Sequence, residues 1–154
     1  MLFRSKRDLR PADHAPLLRA SRRGPVLPLM VVEPELWRQP DASARQWQFC
    51  RESLEELRAA LAALGQPLVV RVGTVTEVLE RIQRHWPIAG LWSHQETGNG
   101  WTYDRDRRVA AWARQHGITW TELPSFGVIR RLPRREGWAR RWEALMCEIG
   151  RAHV

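Results

Sequence analysis

Residues 43–73, SARQWQFCRESLEELRAALAALGQPLVVRVG, decide the fold. Ser43 followed by Gln46 is the signature of a capping box, which starts a helix by satisfying its first free backbone N–H groups. Trp47, Cys50, Leu54, Leu57, Leu61 and Leu64 then recur in steps of three and four, one apolar face of an amphipathic helix. Gly65 and Pro67 stop it. Residues 67–73 (PLVVRVG) follow at once as a short β-branched run, the pattern of a buried strand. Cys50 lies on the apolar face, so it reads as a structural thiol rather than a nucleophile.

The same alternation extends both ways. Upstream, residues 26–32 (VLPLMVV) form a strand in which Pro28 is compatible with a central position only near the strand start. Before it, Asp13 is placed to cap a helix holding Leu17 and Leu18 that Gly24 and Pro25 end, and residues 2–5 are a first strand. Downstream, Thr74 and Glu77 make a second capping box, with Val75, Val78, Leu79 and Ile82 inward. Residues 88–94 read as a fourth strand followed by a long polar loop. A helix comes next, with Asp104 and Asp106 suited to its dipole and Val109, Trp112 and Ala113 inward. Residues 118–123 are a fifth strand. Strands alternating with helices predict an α/β fold, a Rossmann-like, doubly wound, five-stranded parallel sheet with helices on both faces, and the order taken for it is 3-2-1-4-5.

A chain of 154 residues, 44% hydrophobic, supports one domain with a real core. No apolar run approaches the roughly 20 residues that span a bilayer, and the start lacks a signal-peptide core, so the expectation is a cytoplasmic protein with no membrane partner. Cys50 and Cys147 have no metal-type spacing. The net charge of +8 fits a polyanion partner, but Lys6 is the only lysine, and arginine and alanine richness is equally what a GC-rich genome produces. Most of the nine tryptophans read as core or half-buried platforms.

In such a sheet, ligands sit beyond the carboxyl ends of the strands where the order reverses, between strands one and four. The loops there are KRDLRPADH and SHQETGNGWTYD. No GxGxxG, Walker A, zinc-ligand or nucleophile-elbow pattern occurs. Asp8 could serve as a general base, or pair with Arg7 or Arg10, or make a turn. His94 and Gln95 could reach a ligand or remain solvated. The glycines flanking Asn99 permit close approach to a planar ring, on which Trp101 could stack; the alternatives are a ligand-free loop and packing at the sheet edge. Arg45, in the first turn of its helix, suits an anion or plain solvation.

KRDLRPADHAPLL followed by GPVLPLMVVEPELW resembles the start of the DNA photolyase and cryptochrome family, and RQWQFCRESLEELRAALAALGQPLVVRVG and YDRDRRVAAWARQHGI resemble its continuation. The resemblance runs from Leu2 to about Met146. It implies a light-harvesting antenna domain over residues 1–129 that binds a pigment. Residues 130–147 would then begin the linker and helix that lead into a separate FAD-binding helical domain, absent from this sequence. That domain would be the partner of this one. The intact parent would be a deoxyribodipyrimidine photolyase, which uses light and FAD to repair damaged DNA carrying pyrimidine dimers. By position, Asp8, Arg10 and Glu33 match the ends of strands one and two, and Arg45 and Phe49 match a helix that faces flavin-type antennas. Where many relatives carry Tyr-Glu-Pro-Tyr after strand four, this chain has Gly98, Asn99, Gly100 and Trp101. The missing carboxylate favours FMN or a deazaflavin over methenyltetrahydrofolate, or an empty site. A cryptochrome-like blue-light sensor, a stand-alone nucleotide-binding α/β domain and a pigment-free nucleic-acid-binding module are the rival readings. Residues 148–154, EIGRAHV, spell a translated sequencing adapter and are expected to be a non-native tail.

Overall fold

A computed structural model of the chain describes residues 1–125, 128, 130 and 134–149. Five strands, β1 (Leu2–Ser5), β2 (Leu27–Val32), β3 (Val69–Val72), β4 (Leu91–His94) and β5 (Trp120–Leu123), form one sheet in the order β3-β2-β1-β4-β5. Every pairing is parallel. The helices are α1 (Ala15–Ser21), α2 (Ala44–Ala63), α3 (Val75–His85), α4 (Gly100–Gln115) and α5 (Trp138–Ile149), with a 3-10 turn at Leu36–Arg38. The expected fold class and strand order are those observed.

Side-chain alternation along the strands makes two cores. Leu2, Leu29, Val31 and Leu91 face α3 and α4, meeting Val78, Leu79, Val109 and Trp112. Met30 points the other way, onto Leu54, Leu57 and Leu61 of α2, with Leu17 of α1 packed alongside. Burying one such leucine contributes about 1.5–3 kcal/mol. At the end of the α2 stripe, Leu64 leaves the core: it is the C-cap residue and 74% exposed. Pro28 is accommodated by strand geometry. Leu27 N–H bonds back to Met1 toward β1, so the next residue faces β3, whose pairing begins only at Leu29 with Val69.

Of three caps expected from sequence, one forms as expected and two do not. Ser43 Oγ accepts from Gln46 N as the capping pattern requires. Asp13 does not cap α1: it turns the chain with a left-handed φ of 51°, and His14 takes the cap, its Nδ1 accepting from Leu17 N. Thr74 makes no side-chain cap bond. The Glu33 carboxylate, arriving from the end of β2, accepts from Val75 N at 3.2 Å instead. A buried carboxylate at a helix N-terminus also meets the helix dipole favourably. The polar loop expected after strand four is shorter, because Asn99 Oδ1 caps α4 by accepting from Thr102 N at 3.0 Å. The expected tail falls partly outside the described residues, since residues 150–154 are not among them.

Candidate functional site

The loop after β1 is anchored by Asp8. Its carboxylate accepts from Lys6 N at 2.8 Å and from Ser5 Oγ at 3.2 Å. It also lies 2.5 Å from His94 Nδ1 at the end of β4 and 2.6 Å from His14 Nε2. Arg7 and Arg10, the partners expected from sequence, do not pair with it. Burial alone would raise the Asp8 pKa, but the two imidazoles and the Lys6 amide reverse this and hold it well below the usual carboxylate range.

An aspartate and two histidines are also the composition of a metal site. The geometry favours a clasp in which His94 hydrogen-bonds Asp8 while His14 Nε2 makes a close polar contact with it but no regular hydrogen bond. His14 Nδ1 accepts the α1 cap bond, which leaves the proton on Nε2, where a metal would need a lone pair. Contacts of 2.5 and 2.6 Å are, moreover, closer than the roughly 3.3 Å between two ligand atoms bound tetrahedrally to one ion. The clasp ties β1 to α1 and β4.

Beside it, the point where strand order reverses is filled by the domain's own charges. Arg105 of α4 reaches Glu33 at 3.3 Å, Glu96 at 2.6 Å and Asp106 at 3.0 Å. Asp106 is shared further with Arg4 at 3.2 Å and Lys6 at 2.6 Å, and Lys6 reaches Glu122 of β5 at 3.3 Å. Burial would raise the Asp106 carboxyl, but the charges of Arg4, Lys6 and Arg105 hold it lowered to about 2. Lys6, sharing that one anion with two arginines, is held below its ordinary value by burial and by Arg4. Glu33, matched by position to the pigment site, is buried in this network and caps α3; burial raises its pKa despite Arg105. Arg105 and Glu96 escaped the sequence reading. The available signal was an acid just past β4 and an arginine about one helical turn beyond Trp101, neither of which specifies a partner.

Glu96 also folds its own loop, Oε1 accepting from Thr97 N at 3.0 Å and Gly98 N at 2.9 Å. Gly98 is required there. A Cβ would sit 2.5 Å from Arg7 Nη2, 2.6 Å from Thr102 Oγ1 and 3.0 Å from Glu96 Oε1. Arg7 can swing away, but Thr102 is fully buried. Gly98→Ala is therefore expected to lower stability by about 1–3 kcal/mol, read as a drop in the urea midpoint; an unchanged midpoint would show that the loop moves aside freely.

These contacts redraw the crevice. Between the loops after β1 and β4, a cleft of about 240 Å³ remains, lined in part by Asp8, Arg10, His94 and Gln95. A second cavity, about 480 Å³, lies between residues 6–10, the 3-10 turn and α2, and its walls include Arg7, Arg10, Trp37, Asp41, Phe49 and Cys50. Trp37 packs edge-on to Trp47 at 4.9 Å, and its Nε1 is buried with no hydrogen-bond partner among the described residues. Cys50 is half-buried at this wall, and burial raises its thiol pKa, in keeping with an inert thiol. Of the candidate pigment-binding residues, Arg10 and Phe49 line this cavity. Arg45 is exposed and outside the lining. Trp101 sits in the first turn of α4, its ring 5.8 Å from the Arg105 guanidinium. Asn99 caps α4 and donates through Nδ2 to Asp41 at 2.8 Å.

A doubly wound α/β domain with an aromatic, cation-bearing cavity at the carboxyl edge of its sheet is the class that fold and site define. Residues 1–129 match the family model described as DNA photolyase. The chain belongs to the DNA photolyase family. Comparison with curated protein sequences gives no match. Among solved structures, it resembles a bacterial class III photolyase from Agrobacterium tumefaciens, with TM-score 0.76 and 18% identity over 88% of this chain and 28% of that one. It also resembles an archaeal photolyase from Sulfolobus tokodaii, with TM-score 0.77 and 21% identity over 95% of this chain and 34% of that one. A third likeness is to a cryptochrome from Synechocystis sp. PCC6803, with TM-score 0.70 and 22% identity over 80% of this chain and 27% of that one. At such identities the likeness is one of fold. The chain spans about a third or less of the length of these proteins.

Proposed function

We propose that this chain is the light-harvesting antenna domain of a photolyase and that its pigment occupies the cavity between residues 6–10 and α2. The observation that carries the reading is the cavity itself. Its volume of about 480 Å³ is in the range of small-molecule sites. Trp37 and Phe49 offer flat apolar contact. Arg7 and Arg10 suit an anionic tail. FMN or a deazaflavin fits better than methenyltetrahydrofolate, because residues 98–101 supply no carboxylate and Asn99 is engaged as a helix cap. The Sulfolobus tokodaii structure is described as containing two FAD molecules, with implication of a novel light-harvesting cofactor.

A bound pigment would supply near-ultraviolet or blue absorption and dipolar energy transfer to the FAD of a larger helical domain, carried by a longer parent chain that repairs pyrimidine dimers in DNA. Residues 130–147 would lead into that domain, and residues 148–154 would be non-native; re-sequencing the locus tests this. No helix among the described residues is long and apolar enough to cross a membrane; a cytoplasmic location of the parent is part of the proposal.

Titrating the domain with FMN, a deazaflavin and methenyltetrahydrofolate, followed by pigment fluorescence, tests the reading. Saturable one-to-one flavin or deazaflavin binding is expected, weakened at least 10-fold by Trp37→Ala. Absence of saturable binding, or binding unaffected by Trp37→Ala, would count against this cavity. The comparable likeness to a cryptochrome supports a second reading, a light sensor; light-dependent dimer repair by the full-length parent separates the two.

A further inference from the structure

We infer that Asp41, held in place by Asn99, reads the N–H edge of the bound ring and so sets which pigments the cavity accepts and which way round they lie. The inference rests on the pigment reading of this cavity and deepens it.

Asp41 is the acidic residue of the cavity lining, and it is fixed from two directions. Its backbone lies in a tight turn, Ala42 N–H bonding to Gln39 C=O at 3.0 Å, with Pro40 presetting the turn. Its side chain accepts from Asn99 Nδ2 at 2.8 Å through Oδ1, across 58 residues of sequence. Asn99 in turn cannot rotate freely, because its own Oδ1 holds the α4 cap and thereby aims Nδ2 outward. Among the described residues, no hydrogen bond or ion pair engages Asp41 Oδ2. A carboxylate with one oxygen tethered and the other available is a preorganised acceptor, the kind of group that confers specificity without a large ordering penalty.

The rest of the lining has the complementary polarity. Arg7 and Arg10 also line the cavity, and their guanidinium groups attract an anionic tail. A flat ring carrying an imide N–H, as in FMN, is favoured when that edge meets Asp41, the acidic residue of the lining. The carboxylate missing at residues 98–101 is thus supplied from the approach to α2, and Asn99 contributes by positioning it.

The test compares FMN with its N3-methyl analogue, titrated into the full chain and into the variants Asp41→Asn and Asn99→Ser. Serine keeps a capping oxygen for α4 but removes the Nδ2 donor. The wild type is expected to bind FMN about 10- to 100-fold more tightly than the N3-methyl ring, the range of one hydrogen bond to a charged group. Asp41→Asn should bring that ratio close to one, and Asn99→Ser should lower it several-fold. A ratio, unlike an affinity, does not move when a substitution merely loosens the fold. If both rings bind equally to the wild type, the assignment of Asp41 is overturned while the pigment reading stands. If no flavin binds at all, both are overturned.

Discussion

Arg105→Ala is expected to destabilise the domain by about 3–5 kcal/mol, the range for breaking a buried ion pair by removing one partner. The guanidinium contacts Glu33, Glu96 and Asp106, and its side chain is only 5% exposed. Its removal leaves three carboxylates of unequal resource. Asp106 retains Arg4 and Lys6, and Glu96 retains two backbone N–H groups and a distant Arg7. Glu33 retains the Val75 amide and, with its pKa already raised, would relieve itself by taking a proton. Arg105→Lys should fall between the two, because one ammonium cannot address three carboxylates as a planar fork does. Urea unfolding of both variants is the measurement. A loss below about 1 kcal/mol for Arg105→Ala would mean that the network is open to water and behaves as a surface pair.

Acid should unfold this domain, and the sign follows from the same network. The Asp106 pKa is lowered to about 2 in the folded chain, against an ordinary value of 3.8. A depressed carboxylate contributes stability above its unfolded pKa and loses it as pH falls through the folded one, so the window is about pH 4 to pH 2. Asp106 alone accounts for about 2 kcal/mol there. Asp8 and Glu96, also depressed, act in the same direction. Glu33 opposes them: its raised pKa contributes stability below its ordinary value that fades as pH rises through the folded one. Melting temperatures from pH 5 to pH 2 should fall, most steeply below pH 4, and Asp106→Asn should start lower and fall less. A flat profile in the wild type would show that these carboxylates are not paired as described.

Local pattern proved a good guide wherever a few neighbouring residues decide the outcome. The Ser43 cap needs only Gln46, three residues on, and the three-and-four spacing of Leu54, Leu57 and Leu61 marks the face that α2 buries. It misled where a distant group competes. Thr74 has the right neighbours for a cap, yet Glu33 arrives from β2 and takes the role, because a carboxylate trapped in the core needs donors more than a hydroxyl near solvent does. Asp13 lost its cap to His14 because an imidazole can serve α1 through Nδ1 while its Nε2 meets Asp8. The candidate site divides in the same way. Arg10 and Phe49 line the cavity, whereas Asp8, Glu33 and Asn99 are held by partners remote in the chain.

By itself, then, the sequence determined the alternation of strands and helices, the buried faces and, through right-handed crossovers and the family pattern, the sheet order. The alternation and the buried faces follow from residues within one or two turns of each other, and the helices on both sides of the sheet from the fixed handedness of the backbone. Only the tertiary structure decided which charges pair at the carboxyl edge and where that leaves open space. Arg105 with Glu33, Asp8 with His94 and Asn99 with Asp41 are separated by 72, 86 and 58 residues. Charge complementarity carries no record of sequence distance: a buried carboxylate takes whatever donor packing brings within reach, and the cavity is the volume those pairings leave unfilled.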